Sequence, residues 1–193
     1  MARKQLDLFG GGAEPAYPEG FRYRPELITA EVERALLETV KELPLKEFEF
    51  HGFTGKRRTV SFGWHYSFAD EKLRETDDIP DFLLELRDVA APFADLEPEQ
   101  LQHVLVTEYG PGAAIGWHRD KGVFDDIIGI SLLSPCTFRL RRKQGESWER
   151  VNLVAEPRSA YLMRGPSRTE WEHSIPAVEE LRYSITFRSL RGR

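Results

Sequence analysis

The sequence predicts a mainly β fold with flanking helices, an antiparallel sandwich or small barrel. Seven short runs rich in β-branched and aromatic residues follow one another from His103 to Phe187, with Gly, Pro and charged turns between them. Two amphipathic helical patterns both precede that region. With 193 residues, 40% of them hydrophobic and 12 of them Phe, the chain fits one domain with a sizeable core.

Residues 1–20 hold Gly10-Gly11-Gly12, two prolines and little apolar content, which predicts a flexible arm ahead of a single domain over 21–193. Thr29 can cap a helix over about 30–43, with Glu31 and Glu33 in its first turn; Val32, Leu36, Val40 and Leu43 form its stripe, and Pro44 stops it. From Glu47 to Phe68 the chain turns strand-like and aromatic. There the cluster Lys56-Arg57-Arg58 precedes Trp64-His65-Tyr66, and cations beside exposed rings suit phosphates and an unpaired base. Pro80 opens a second helix to about Ala91 with Phe82, Leu83, Leu86 and Val89 inward, and residues 97–100 form a short helical connector. The strands then run 103–109, 127–133, 137–142, 148–154, 159–163, 171–175 and 182–187, and Gly165-Pro166 makes the turn before the sixth. Arg139, Arg141, Arg142 and Lys143 read as a solvated hairpin face that could extend a basic groove, and His51, His65 and His103 as structural or surface residues.

The chemistry gathers in Trp117-His118-Arg119-Asp120, His173 and the last strand. If 117–120 are extended, His118 and Asp120 project from one face and offer two adjacent corners of a metal sphere. A distant histidine would complete a 2-His-1-carboxylate face with open positions, a set that suits Fe(II) binding a co-substrate and dioxygen. On the last strand Arg182, Ser184, Thr186 and Arg188 share a face, with Tyr183, Ile185 and Phe187 on the other. Its two arginines, roughly 20 Å apart along the backbone, read as an anion clamp for a short dicarboxylate.

These pieces together resemble the AlkB family of Fe(II)- and 2-oxoglutarate-dependent dioxygenases. The matching residues are Tyr109-Gly110-Pro111-Gly112, Ile115-Gly116-Trp117-His118-Arg119-Asp120, His173 and Arg182-Tyr183-Ser184-Ile185-Thr186-Phe187-Arg188. The resemblance implies a double-stranded β-helix, or jelly roll, with helices packed outside one sheet. It implies Fe(2+) on His118, Asp120 and His173, 2-oxoglutarate held by Tyr109 and Arg182 at one carboxylate and by Arg188 at the other, and O2 as oxidant. It further implies a lid at about 47–70 with Trp64 or Tyr66 stacking on the substrate base and Arg58 nearby. The implied activity is oxidative demethylation of N-alkylated nucleobases on single strands or flipped bases. Thr107 and Ser184 stand where the family usually has asparagines; both can hydrogen-bond, so tuned co-substrate binding is expected. Gly122 stands where some repair members carry an acid facing the damaged base, which leaves Asp125 or Asp126 as substitutes and keeps a protein or other non-nucleic-acid substrate as the rival. A zinc hydrolase would leave Arg182 and Arg188 without a task, and a non-catalytic module would not need all three ligand positions.

Within the arm, Gln5-Leu6-Asp7-Leu8-Phe9 resembles the peptide by which bacterial repair proteins hook the sliding clamp, with Gln5, Leu6, Leu8 and Phe9 as its contacts. A net charge of −5 argues against a surface that grips phosphate everywhere, though not against a local patch. The single cysteine, Cys136, excludes an internal disulfide and fits a buried, inert thiol. No apolar run suits a membrane span, and the polar N-terminus lacks a signal segment, so the expected location is the cytoplasm.

Overall fold

A computed structural model of the chain describes residues 16–50, 53–67 and 70–192. The clamp-like peptide lies outside them. The strands are β1 (Phe21–Arg24), β2 (Lys46–Phe50), β3 (Phe53–Phe62), β4 (Trp64–Ser67), β5 (Lys72–Glu75), β6 (Leu101–Tyr109), β7 (Ile115–His118), β8 (Phe124–Leu132), β9 (Cys136–Gln144), β10 (Ser147–Ala155), β11 (Ala160–Met163), β12 (Glu172–Ile175) and β13 (Arg182–Leu190). The helices are α1 (Ala30–Val40), α2 (Asp81–Ala90) and the short α3 (Gly165–Thr169).

Among the described residues the strands form a seven-stranded sheet in the order β1-β11-β8-β13-β6-β3-β2, a four-stranded sheet β10-β9-β12-β7 and the separate hairpin β4-β5. All pairings are antiparallel, as the short, evenly spaced strands predicted. The larger sheet separates two core layers. On its outer face Val104, Val106, Ile128, Ile130, Leu132, Ile185 and Phe187 pack against Leu36, Leu37 and Val40 of α1 and Leu83 and Leu86 of α2. On its inner face Tyr109, Ile127 and Met163 meet Phe138, Leu140, Leu153 and Trp171 from the side of the smaller sheet. The period-two alternation of β13 therefore sends Tyr183, Ile185 and Phe187 to the helices and Arg182, Ser184, Thr186 and Arg188 between the sheets. No helix among the described residues is long and apolar enough to cross a membrane.

Several expectations change. The Thr29 side chain caps α1 through the Val32 amide at 3.3 Å, but Val32 itself is 41% exposed. Glu33 is buried in its place, because its carboxylate accepts from the Leu133 amide at 2.9 Å and from Arg158 at 3.3 Å. A partnered acid can thus turn inward and rotate the stripe to 33, 36, 37 and 40. In α2 the same rotation buries Ala90 and leaves Val89 exposed. Residues 17–20, expected within the arm, are packed: Tyr17 lies against Phe21 at 5.2 Å, and the carbonyls of Glu19 and Gly20 accept from the Ser167 and Arg164 amides. β1 and β5 were not expected, because four-residue strands carry too little periodic signal. The turn at Gly165-Pro166 proves to be the first turn of α3, with Pro in the first turn, where a missing amide costs nothing.

Candidate active site

His118 ends β7, the edge strand of the smaller sheet, and pairs in register with His173 on β12. The antiparallel register places the two rings side by side, 4.2 Å apart between centroids. Asp120 lies beyond the strand, so the loop after β7 brings it alongside, not strand parity as the sequence suggested. Its Oδ1 is 3.4 Å from His118 Nε2 and 3.7 Å from His173 Nε2. Adjacent corners of an octahedron with bonds of about 2.1 Å are about 3.0 Å apart, so the three atoms suit one divalent ion. The facing ligand atoms of all three residues lie within 4.8 Å of one another.

The surroundings prepare these atoms. His118 Nδ1 faces the Gly116 carbonyl at 2.9 Å, and donation there leaves the Nε2 lone pair for a metal. Burial, reinforced by His118, brings the His173 pKa down to about 3, so its imidazole is neutral at neutral pH. Burial would by itself raise Asp120, but Arg188 and the two histidines outweigh it and hold the carboxyl well below its usual range. The Arg188 Nε donates to Asp120 Oδ2 at 2.8 Å, and Arg188 Nη1 faces the buried His103 at 3.4 Å. Arg188 therefore lines the cavity while tied to the metal carboxylate.

A cavity of about 1540 Å³ opens between the sheets and holds His118, Asp120, His173, Thr107, Tyr109, Arg182, Ser184 and Arg188 on its walls. Arg182 is 2% exposed, its guanidinium lies 4.6 Å from the Tyr109 ring centre, and its Nη2 donates to Ser131 Oγ at 3.0 Å. Its Nε and Nη1 are buried without a hydrogen-bond partner. A buried guanidinium with unused N–H groups is costly unless a ligand carboxylate completes it. Gly112 helps set this end of the cavity: at φ +80°, in the left-handed region, it donates to the Val178 carbonyl at 2.7 Å and turns the chain from Tyr109 back into β7.

Of the residues expected at the substrate, Tyr66 lines the cavity with Lys121 5.3 Å from its ring centre. Trp64 pairs with Glu75 in the β4-β5 hairpin and is not among the cavity's lining residues. Arg58 points to the other face of β3, where it meets Glu108 with two hydrogen bonds of 2.7 and 2.8 Å. Arg57, opposite Tyr109 in the β3–β6 register, takes the wall position instead. Asp125 and Asp126 do not stand in for an acid at the substrate: they pair with Arg191 at 3.5 Å and Arg164 at 2.6 Å and do not line the cavity. Glu47 and Asp77 are lining carboxylates outside the metal set. Cys136 is buried, and burial pushes its thiol up, as an inert residue requires.

One feature had no sequence signal, and a second had only part of one. Arg168 of α3 is buried and donates through Nη2 to the carbonyls of Lys121 and Phe124, while Arg119 Nη1 donates back to the Thr169 carbonyl at 3.1 Å. This reciprocal clasp holds the loop bearing Asp120. On the outer face of the smaller sheet, the Arg141 guanidinium sits 4.3 Å from the Trp117 ring centre and 4.1 Å from that of Trp148, with Arg139 and Lys143 alongside. The expectation of a solvated basic hairpin gave the charges but not the indoles between them.

A two-sheet sandwich enclosing a 2-His-1-carboxylate face beside a buried arginine is the arrangement of a metal-dependent oxygenase that takes a carboxylate co-substrate. The 2OG-Fe(II) oxygenase superfamily profile matches residues 21–188, and the chain belongs to that superfamily. The bovine alpha-ketoglutarate-dependent dioxygenase alkB homolog 7, mitochondrial, is 32% identical over 163 residues, covering 80% of this chain and 66% of that protein. The Arabidopsis thaliana alkylated DNA repair protein ALKBH8 homolog is 24% identical, over 70% of this chain and 47% of that protein. The mouse tRNA (carboxymethyluridine(34)-5-O)-methyltransferase ALKBH8 is 27% identical, over 83% of this chain and 24% of that protein. The chain thus spans half or less of these two ALKBH8 relatives. Among solved structures, OsALKBH1 superposes with a TM-score of 0.66 at 14% identity over 90% of this chain and 99% of that one. A Pseudomonas putida prolyl-4-hydroxylase gives 0.59 at 14% identity, over 90% and 94%, and both likenesses show the jelly-roll fold. The AlkB-like resemblance is borne out: the chain belongs to a superfamily of oxygenases that use Fe(2+), 2-oxoglutarate and O2, and His118, Asp120 and His173 form a group that could hold the metal.

Proposed function

We propose that this dioxygenase oxidatively demethylates N-alkylated nucleobases in single-stranded or flipped-out nucleic acid. The observation that carries the reading is the distribution of cations in an acidic chain. Its net charge is −5, yet Arg57, Arg119 and Lys121 line the cavity, and Arg139, Arg141 and Lys143 gather with Trp117 and Trp148 on the adjoining sheet face. Cations that meet phosphates and rings that take a base are what a single strand needs. Tyr66 lines the cavity and offers a ring on which a base would stack, and Glu47 and Asp77 on its walls would supply negative charge for a cationic alkylated base.

Iron and 2-oxoglutarate, when bound, supply the activation of dioxygen and the oxidation of the N-methyl carbon, which leaves as formaldehyde. His118, Asp120 and His173 would hold the metal, Arg182 and Tyr109 would orient a co-substrate carboxylate, and Arg188 keeps Asp120 ionised. The sequence of the N-terminal arm supports the same reading, because a clamp-binding peptide would tether the enzyme to DNA. A second reading, oxidation of a protein or other non-nucleic-acid substrate, is favoured by Gly122 and by the engagement of Asp125 and Asp126 elsewhere.

The test is formaldehyde release from an N-methylated single-stranded oligonucleotide by the Fe(II)-loaded protein with 2-oxoglutarate. Formaldehyde release, with oligonucleotide binding that weakens as salt rises, is expected. Weak, salt-insensitive binding without formaldehyde would transfer the assignment to the second reading.

A further inference from the structure

We propose that Arg139, Arg141 and Trp117 are positioning residues for the metal: from the outer face of the smaller sheet they staple β9 to β7 across β12 and hold His118 against His173. The inference rests on the set formed by His118, Asp120 and His173 and is independent of the substrate.

The two metal histidines sit where the ladder of the sheet is thin. β7 is a four-residue edge strand that pairs, among the described residues, with β12 alone. The register pairs are His118 with His173 and Ile115 with Ile175, and the register shifts between them. A locally disrupted ladder leaves the spacing of two ligands on neighbouring strands loosely set. On its other side β12 pairs regularly with β9: Glu172 with Arg141, His173 with Leu140 and Ser174 with Arg139. Alternation sends His173 and Leu140 inward and puts Glu172, Ser174, Arg139 and Arg141 on the outer face. By the same alternation Trp117 turns outward beside the inward His118.

Because β12 lies between β9 and β7, an arginine on β9 must cross two strand spacings, about 10 Å, to touch Trp117. Arg139 and Arg141 both make the crossing. On the way Arg139 Nε donates to Ser174 Oγ at 3.0 Å and Arg141 Nε donates to Glu172 Oε2 at 2.6 Å. Their guanidinium groups end 4.9 and 4.3 Å from the Trp117 ring centre. Trp148 of β10 covers Arg141 from its own strand at 4.1 Å, so the contacts run through all four strands behind the histidines. Ser174 lies on the outer face and is nevertheless fully buried beneath them. Indole is the best ring for a cation, and two guanidinium groups on one indole tie down an edge strand that its ladder holds weakly. The residues so tied are the immediate neighbours of the ligands: Trp117 precedes His118, and Glu172 and Ser174 flank His173.

The test is calorimetric titration of Mn(II) into the full-length, metal-free protein, with circular dichroism confirming the fold of each variant. Trp117→Leu and Arg141→Met should each weaken Mn(II) binding about tenfold, the usual effect of losing a residue that orients a metal ligand. Trp117→Phe keeps a ring face for the arginines and should restore affinity to within about threefold of wild type. Arg158→Ala removes the partner of Glu33 on the helix side; it should lower the thermal midpoint and leave Mn(II) affinity unchanged. Affinity within about twofold of wild type in folded Trp117→Leu and Arg141→Met would overturn the proposal. An equal loss in Arg158→Ala would overturn it too, since affinity would then follow overall stability. A wild type that takes up no Mn(II) would overturn the metal assignment and this inference with it.

Discussion

At the scale of single residues, the two oxygens of Asp120 are divided between tasks. Oδ1 faces both imidazoles and Oδ2 takes the Arg188 guanidinium, so the arginine fixes the orientation of the carboxylate. The same division of labour separates two adjacent arginines. Arg57 faces the cavity, whereas Arg58 is spent on Glu108, which also accepts from the Tyr183 hydroxyl at 2.9 Å. Arg57→Ala should lower kcat/KM for the nucleic-acid substrate about tenfold. Arg58→Ala should leave that ratio within about twofold and cost about 1 kcal/mol of stability, because its ion pair is half exposed. Steady-state kinetics and denaturant unfolding of the two variants check both halves; equal kinetic effects would contradict the assignment. His118, Asp120, His173 and Arg182 were legible in the sequence because motif order constrains them; strand parity helped only for Arg182, since Asp120 reaches the set through its loop. The run Lys56-Arg57-Arg58 offers cations to both faces of β3. Only the pairing of Arg57 with Tyr109 and of Arg58 with Glu108 decides which one turns inward, and that register is a tertiary fact.

At the scale of elements, β7 is a four-residue edge strand that carries His118 into a loop carrying Asp120. So short a strand does not hold a metal loop by its ladder alone. The clasp with α3 supplies the remainder: Arg168 takes two carbonyls of the loop and Arg119 returns one bond. Arg168→Met removes a buried, charged donor and should lower stability by about 2–3 kcal/mol. It should also weaken Mn(II) binding about tenfold while leaving the far side of the sandwich intact. Thermal melts with and without Mn(II) read both effects, and an unchanged metal affinity would sink the positioning role. The elements themselves were largely legible: α1, α2 and the seven expected strands stand within a few residues of their expected bounds. The faces of the helices were less so. Burial of Glu33 depends on Arg158 and the Leu133 amide, 125 and 100 residues away, and local hydropathy does not register such partners.

At the scale of the whole molecule, the two sheets set two kinds of chemistry back to back. The inner faces carry a buried, mostly paired set of metal and carboxylate ligands, while the outer face of the smaller sheet carries arginines stacked on tryptophans. Arg139, Arg141 and Lys143 on that face, with Arg141 also paired to Glu172 at 2.6 Å, offer cations to a polyanion, and the cavity adjoins them through Trp117, Arg119 and Lys121. In that cavity His118, Asp120 and His173 would hold the metal on which 2-oxoglutarate oxidation depends. The most direct measurement is succinate formation from 2-oxoglutarate by Fe(II)-loaded wild type and Asp120→Ala, each refolded-state checked by circular dichroism. Succinate from the wild type and only background from Asp120→Ala is the predicted result. Undiminished succinate formation by a folded Asp120→Ala protein would contradict it.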